Sequence, residues 1–323
     1  MTEFPTMDPE LAAVLGMLPE VDFADPAAAR IVFDELMAAH AADISLEGVE
    51  LRELAAPGQG GAPDVPIRFF TPEQARGPLP VLVWMHGGGF AIGTAASSDE
   101  FCVSVVRELG FAVANVEYRL APETPFPGPL DDCYAALRHV HAQAGRLGID
   151  AGRIAVGGQS AGGGLAAATV LRARDEGVVP IAFQLLEIPE LDDRLATPSM
   201  IEFVDTPVWH RPNAIHSWRH YLGDSYAGPE DPDVSPYAAP ARATDLTGLP
   251  ATYVSTMELD PLRDEGIDYA VRLLRAGSSV ELHSFPGTFH GSSLVATAEV
   301  SRRAHAEALD ALRRGLRSGA RAS

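Results

Sequence analysis

Two rhythms alternate along this chain. Short, nearly continuous apolar runs at 81–85, 153–157, 181–186 and 251–256 have the length of strands buried on both faces. Longer segments with helical spacing separate or follow them: 99–109, stopped by Gly110; 129–147, stopped by Gly148; 161–175; 261–276, stopped by Gly277; and 293–316. Strand patterns at 49–54 and 66–70 open the series, and 280–285 alternates near its end. Parallel strands need long crossovers, so this order predicts an α/β protein with a mostly parallel sheet and helices on both faces. Two stretches break the rhythm. Residues 8–42 read as helix before any strand, and 200–224 is an aromatic insert between strands. There is no internal repeat and no long linker.

The densest chemical signal is Gly158-Gln159-Ser160-Ala161-Gly162, which sits between the strand at 153–157 and an Ala/Leu-rich helix. A strand, a sharp turn and a helix with serine at the apex push that serine into a strained conformation and expose its hydroxyl. Upstream, His86-Gly87-Gly88-Gly89-Phe90 follows another apolar strand. Its glycines let backbone N–H groups approach a reacting carbonyl, so Gly88 and Gly89 are candidate oxyanion donors, with the N–H of Ala161 as a third. His86 reads as a loop anchor.

A nucleophilic serine needs a base and an orienting acid, which in this type of fold follow it in the order Ser, Asp, His. Asp260 stands where the strand at 251–256 gives way to a loop, with Pro261 placed to start a helix; His290 lies in a loop after the strand at 280–285. Both side chains then emerge at the sheet edge that carries Ser160. Asp264 and Glu265 are expected in the first turn of the next helix, where acidic residues complement the helix dipole. His283 lies within a strand and reads as a sheet residue.

These motifs, together with Glu117-Tyr118-Arg119-Leu120-Ala121-Pro122-Glu123 and the run from Asp260 to Gly266, resemble the hormone-sensitive-lipase-like branch of the α/β-hydrolases, the bacterial carboxylesterases with a His-Gly-Gly-Gly loop. The resemblance implies one α/β-hydrolase domain over 1–323, with cap elements from about 1–45 and 196–226. It also implies a serine carboxylesterase that uses Ser160, Asp260 and His290, forms an acyl-enzyme, and needs no cofactor and no metal. Gln159 and the segment 186–193 narrow the likeness to members that act on acetyl esters of aryl or bulky alcohols. An amidase or peptidase on the same triad, and a non-catalytic ligand-binding protein on the same fold, are the alternative readings.

Phe90, Phe203 and Trp209 are candidate apolar walls for the alcohol group. Glu187, near the end of the strand at 181–186, is unusual, because a carboxylate in a central strand is costly unless bonded or paired. It reads either as half of an ion pair at the sheet rim or as a contact behind Ser160 or His290. His210, His216 and His220 cluster in the aromatic insert, but without an acidic ligand or a signature spacing they do not predict a metal site.

The chain has 323 residues, 46% of them apolar, enough for one large core. Against 44 acidic residues stand 24 basic ones, for a net charge of −20, which argues against nucleic acid or an anionic membrane as partner. The expected partner is a small-molecule ester, and a homodimer is left open. Two cysteines, Cys102 and Cys133, imply no disulfide framework. The first residues lack a basic and apolar leader pattern and no stretch reaches membrane-spanning length, so the expected location is cytoplasmic.

Overall fold

The computed structural model describes residues 6–18, 20–41 and 44–318. Parts of the expected cap stretch 1–45 (residues 1–5, 19, 42 and 43) and the chain end 319–323 lie outside the described residues.

Eight strands form one sheet: β1 (Val49–Ala56), β2 (Val65–Pro72), β3 (Leu79–Met85), β4 (Ala112–Val116), β5 (Ile149–Gln159), β6 (Phe183–Glu187), β7 (Ala251–Leu259) and β8 (Val280–Phe289). Their order is β1-β2-β4-β3-β5-β6-β7-β8. Only the pairings of β2, with β1 and with β4, are antiparallel; β4, β3, β5, β6, β7 and β8 run parallel. This is the expected α/β architecture. Strand periodicity sorts the side chains: Val81, Val83 and Met85 of β3 join one core, and Leu82 and Trp84 join the core on the other face.

The helices are α1 (Pro9–Ala12), α2 (Pro26–Ala41), α3 (Asp99–Leu109), α4 (Gly128–Ala142), α5 (Ala144–Leu147), α6 (Ala161–Glu176), α7 (Pro198–Glu202), α8 (Arg211–Leu222), α9 (Arg263–Arg275) and α10 (Glu299–Ser318). Apolar residues of α4, α6 and α9 cover one face of the sheet, and those of α3 and α10 the other. The central strands β3, β4 and β6 are buried on both faces almost throughout, which explains the continuous apolar strand patterns.

Several boundaries differ from the sequence reading. The expected helix over 8–42 is broken: after α1 and a 3-10 turn at Leu15–Met17, α2 starts only at Pro26. There the Asp25 carboxylate accepts from the N–H groups of Ala27 and Ala28, and proline at the first position favours a new start. The last helix begins at Glu299 rather than 293, where its first N–H donates to Glu10 (2.7 Å). Pro261 does not open α9, which starts two residues later at Arg263.

The segment before β1 and the α7–α8 insert meet above the carboxyl edge of the sheet. Asn213 of α8 donates to the Val21 carbonyl (2.9 Å), His220 donates to the Phe23 carbonyl (2.8 Å), and the Phe23 ring stands edge-on to Trp209 at 4.9 Å. No helix among the described residues is long and apolar enough to cross a membrane.

Candidate active site

At the end of β5 the chain turns through Ser160, which holds φ 56° and ψ −123°, into α6. A non-glycine residue rarely stays in that region unless its surroundings impose it. Here the Ser160 N–H donates to the Glu187 carbonyl of β6 (2.9 Å), while its own carbonyl accepts from Gly164 (3.1 Å) and Glu190 (3.0 Å). Gly158 is required by close approach: a Cβ there would lie 2.2 Å from the Gly162 carbonyl oxygen.

Three strand ends then bring distant residues together. The His290 ring, just past β8, has Nε2 2.9 Å from Ser160 Oγ and Nδ1 2.7 Å from Asp260 Oδ2. Asp260, just past β7, spends its other oxygen on the Leu262 N–H (2.9 Å). All three residues are at most 5% exposed. Such a chain can draw the hydroxyl proton onto the ring while the carboxylate fixes the tautomer. His283 pairs with Glu281 on the sheet (3.0 Å), well away from this group in the fold.

Beyond β3, Gly88 and Gly89 have φ 124° and 52°. Among the described residues, none accepts a hydrogen bond from the N–H groups of Gly88, Gly89 or Ala161. Free, preorganised donors beside a serine hydroxyl are what a developing oxyanion requires. His86 anchors the loop: its ring stacks on Tyr118 at 4.2 Å, its Nδ1 bonds the Gly87 carbonyl, and the Tyr118 hydroxyl donates to the His86 carbonyl. Burial pushes its pKa down to about 4, so it stays neutral.

A cavity of about 120 Å³ opens over these groups. Its floor contains Gly87, Gly88, Gly89, Gln159, Ser160 and His290; its roof contains Val21, Phe23, Phe33, Val208 and Trp209. Trp209 lies 5.6 Å from the His290 ring. The two other expected walls are corrected: neither Phe90 nor Phe203 lines the cavity. A positive φ of 58° turns Phe90 back under α8, where it stacks on Tyr221 at 4.0 Å. Phe203 packs with Met257, Leu259 and Phe285 in a separate core. Val21, Phe23 and Phe33 were not foreseen, because their apolar spacing is that of any core-facing segment.

The carboxylates near the elbow also depart from expectation. Among the described residues Glu187 has no arginine partner; the Gln159 side chain, from its register neighbour on β5, works to lower its pKa, but burial outweighs it and pushes the pKa up to about 7. Gln159 in turn donates to Ser293 (3.3 Å) in the loop after His290. Asp264 and Glu265 do more than complement a dipole. Asp264 accepts from the Ser199 N–H that opens α7 (2.8 Å), and buried Glu265 accepts from the Leu191 N–H (2.6 Å). Of the insert histidines, His210 caps α8 and His220 is spent on the Phe23 carbonyl.

Comparison with known proteins agrees with this geometry. A family model described as the alpha/beta hydrolase fold matches residues 82–294. The solved structure of a bacterial heroin esterase is 75% identical in sequence, covers 98% of this chain and 99% of that chain, and superposes with a TM-score of 0.97. Carboxylesterase NlhH of Mycobacterium tuberculosis is 40% identical over 72% of this chain and 73% of its own length. Esterase LipI of the same organism is 36% identical over 90% of this chain and 88% of its own.

Proposed function

From a chain that belongs to the hormone-sensitive-lipase-like branch of the α/β-hydrolase family and is a serine carboxylesterase, we propose a double displacement run by Ser160, His290 and Asp260. His290 takes the hydroxyl proton as Ser160 attacks the ester carbonyl, and the N–H groups of Gly88, Gly89 and Ala161 receive the oxyanion. The intermediate collapses, His290 protonates the leaving alcohol, and the acetyl group stays on Ser160. Water, activated by the same ring, then releases acetate. Asp260 holds the imidazole in the tautomer that presents Nε2 to the serine and stabilises its charged form. The observation that carries this reading is the continuous chain from Asp260 through His290 to Ser160 at 2.7 and 2.9 Å.

The proposed substrates are acetyl-type esters of aryl or bulky alcohols. Support comes from an apolar roof over a short polar floor, and from similarity to an esterase named for such a substrate. In this reading the segment before β1 and the α7–α8 insert act as the cap. Two buried free cysteines, Cys102 and Cys133, fit work in a reducing compartment such as the cytoplasm.

Rapid mixing with p-nitrophenyl acetate tests the mechanism. The expected result is a burst of p-nitrophenol equal to the enzyme concentration, with an acetylated Ser160 in the quenched protein. Faster cleavage of a matched anilide than of the ester would overturn the esterase reading in favour of an amidase.

A further inference from the structure

The glycine loop has two consecutive residues in the left-handed region, Gly89 at φ 52° and Phe90 at φ 58°. A loop so shaped needs restraints from outside itself. Helix α8 supplies two. The Ser217 hydroxyl donates to the Gly89 carbonyl at 3.0 Å, and the Tyr221 ring stacks on Phe90 with an interplanar angle of 11°. Ser217 and Tyr221 are both fully buried.

Behind Ser217 lies Glu190, also fully buried. Its backbone is tied to the elbow, since its N–H donates to the Ser160 carbonyl. Neither carboxyl oxygen has a hydrogen-bond partner among the described residues as they stand. The ionised form of such a group would be very costly. Burial pushes its pKa up to about 8; Ser217 opposes the rise and the charge of Asp260 adds to it. The titratable groups around it are Tyr118 after β4, Tyr221 of α8, Asp260 after β7 and Glu265 of α9. The nucleophile helix α6 presents Gly164 and no charge.

A serine hydroxyl has one hydrogen. With that hydrogen given to Gly89, Ser217 can only accept from Glu190, and only a neutral carboxyl can donate. If Glu190 ionises, the hydroxyl has reason to turn to the carboxylate and release the Gly89 carbonyl.

We propose that Glu190 and Ser217 are positioning residues for ester hydrolysis: Glu190, as a neutral acid, donates to Ser217, and Ser217 pins Gly89 so that the oxyanion donors stay aimed beside Ser160. This rests on the acyl-transfer reading above and adds to it a tie from the cap helix to the oxyanion loop. Neither residue touches the substrate, so the pair acts on the transition state through the loop.

The test measures kcat, KM and thermal midpoint on p-nitrophenyl acetate, with inhibition by a trifluoromethyl ketone that mimics the tetrahedral state. Ser217→Ala is expected to lower kcat about tenfold, less than outright loss of an oxyanion donor, with KM nearly unchanged and the ketone weakened in proportion to kcat. Glu190→Leu is expected to lower kcat similarly, and Glu190→Gln, a neutral donor of the same shape, to recover most of it. The wild-type kcat should fall as pH rises through about 8, and the Glu190→Gln profile should stay flat there. Should Ser217→Ala fail to fold, the two Glu190 profiles decide alone. A folded Ser217→Ala with normal kcat and normal ketone affinity overturns the proposal, as does a Glu190→Gln that keeps the alkaline fall. Ser160→Ala run alongside separates the two levels: retained hydrolysis there defeats the acyl-transfer reading itself.

Discussion

The floor of the cavity is made of strand-end groups, Gly87 to Gly89, Ser160 and His290, held by hydrogen bonds to neighbouring strands and loops. The roof is made of apolar side chains from two stretches far apart in sequence, 21–37 and 208–209, held to each other by Phe23 against Trp209 and by Asn213 and His220. Directional bonds define the floor to tenths of an ångström, which suits proton transfer. Contact area defines the roof, which suits discrimination by size. On the proposed mechanism the floor sets the rate and the roof the choice of substrate, and substitutions can separate the two.

The largest effect should come from Ser160→Ala, with a loss of about six orders of magnitude in kcat and no loss of fold, as for other serine triads. Residual hydrolysis at a tenth of the parent rate would remove Ser160 from the mechanism. Asp260→Asn should cost about 10⁴ in kcat because the amide favours the wrong imidazole tautomer. Asp264→Asn, whose carboxylate caps α7 instead, should spare kcat and lower the thermal midpoint by the loss of a cap, about 1 kcal/mol. The reverse ranking would move the acid role to Asp264.

On the roof, Trp209→Leu should raise KM for aryl and bulky acetates by about tenfold, the scale of a few lost methylene contacts, while ethyl acetate keeps its kcat. A kcat loss on both substrates would show that Trp209 serves His290, which it faces at 5.6 Å, rather than the alcohol group.

The smallest effect concerns Glu187. Its pKa is raised to about 7 from an ordinary 4.5, so the folded protein holds this proton more tightly than the unfolded chain. Between those values stability therefore falls as pH rises. Glu187→Gln should remove that part of the slope, so that variant and parent melt alike near pH 4 and the variant melts a few degrees higher at pH 8. An equal offset at both pH values would mean that the carboxyl is not what titrates.

Much of this was legible before folding. Element order, the strand–turn–helix at Ser160, the glycine loop and the positions of Asp260 and His290 past strand ends are all written in residues a few positions apart. Apolar periodicity, turn chemistry and capping act over such distances. The break near Pro26, the turn of Phe90 under α8 and the removal of Phe203 to another core were not legible. Each depends on which segment covers which.

The carboxylates show the same division. The sequence by itself determined that Glu187 would fall near the end of its strand, Asp260 at the edge that carries Ser160, and Glu265 in the first turn of the helix that follows. Only the tertiary structure decided that Asp260 meets an imidazole, Glu187 lies beside an amide, Glu265 meets a backbone N–H, and Glu190 is buried with neither carboxyl oxygen bonded among the described residues. The reason is physical: a carboxyl's charge and role depend on the water it loses and the partner it gains, and both come from residues as far off as Ser217 and His290.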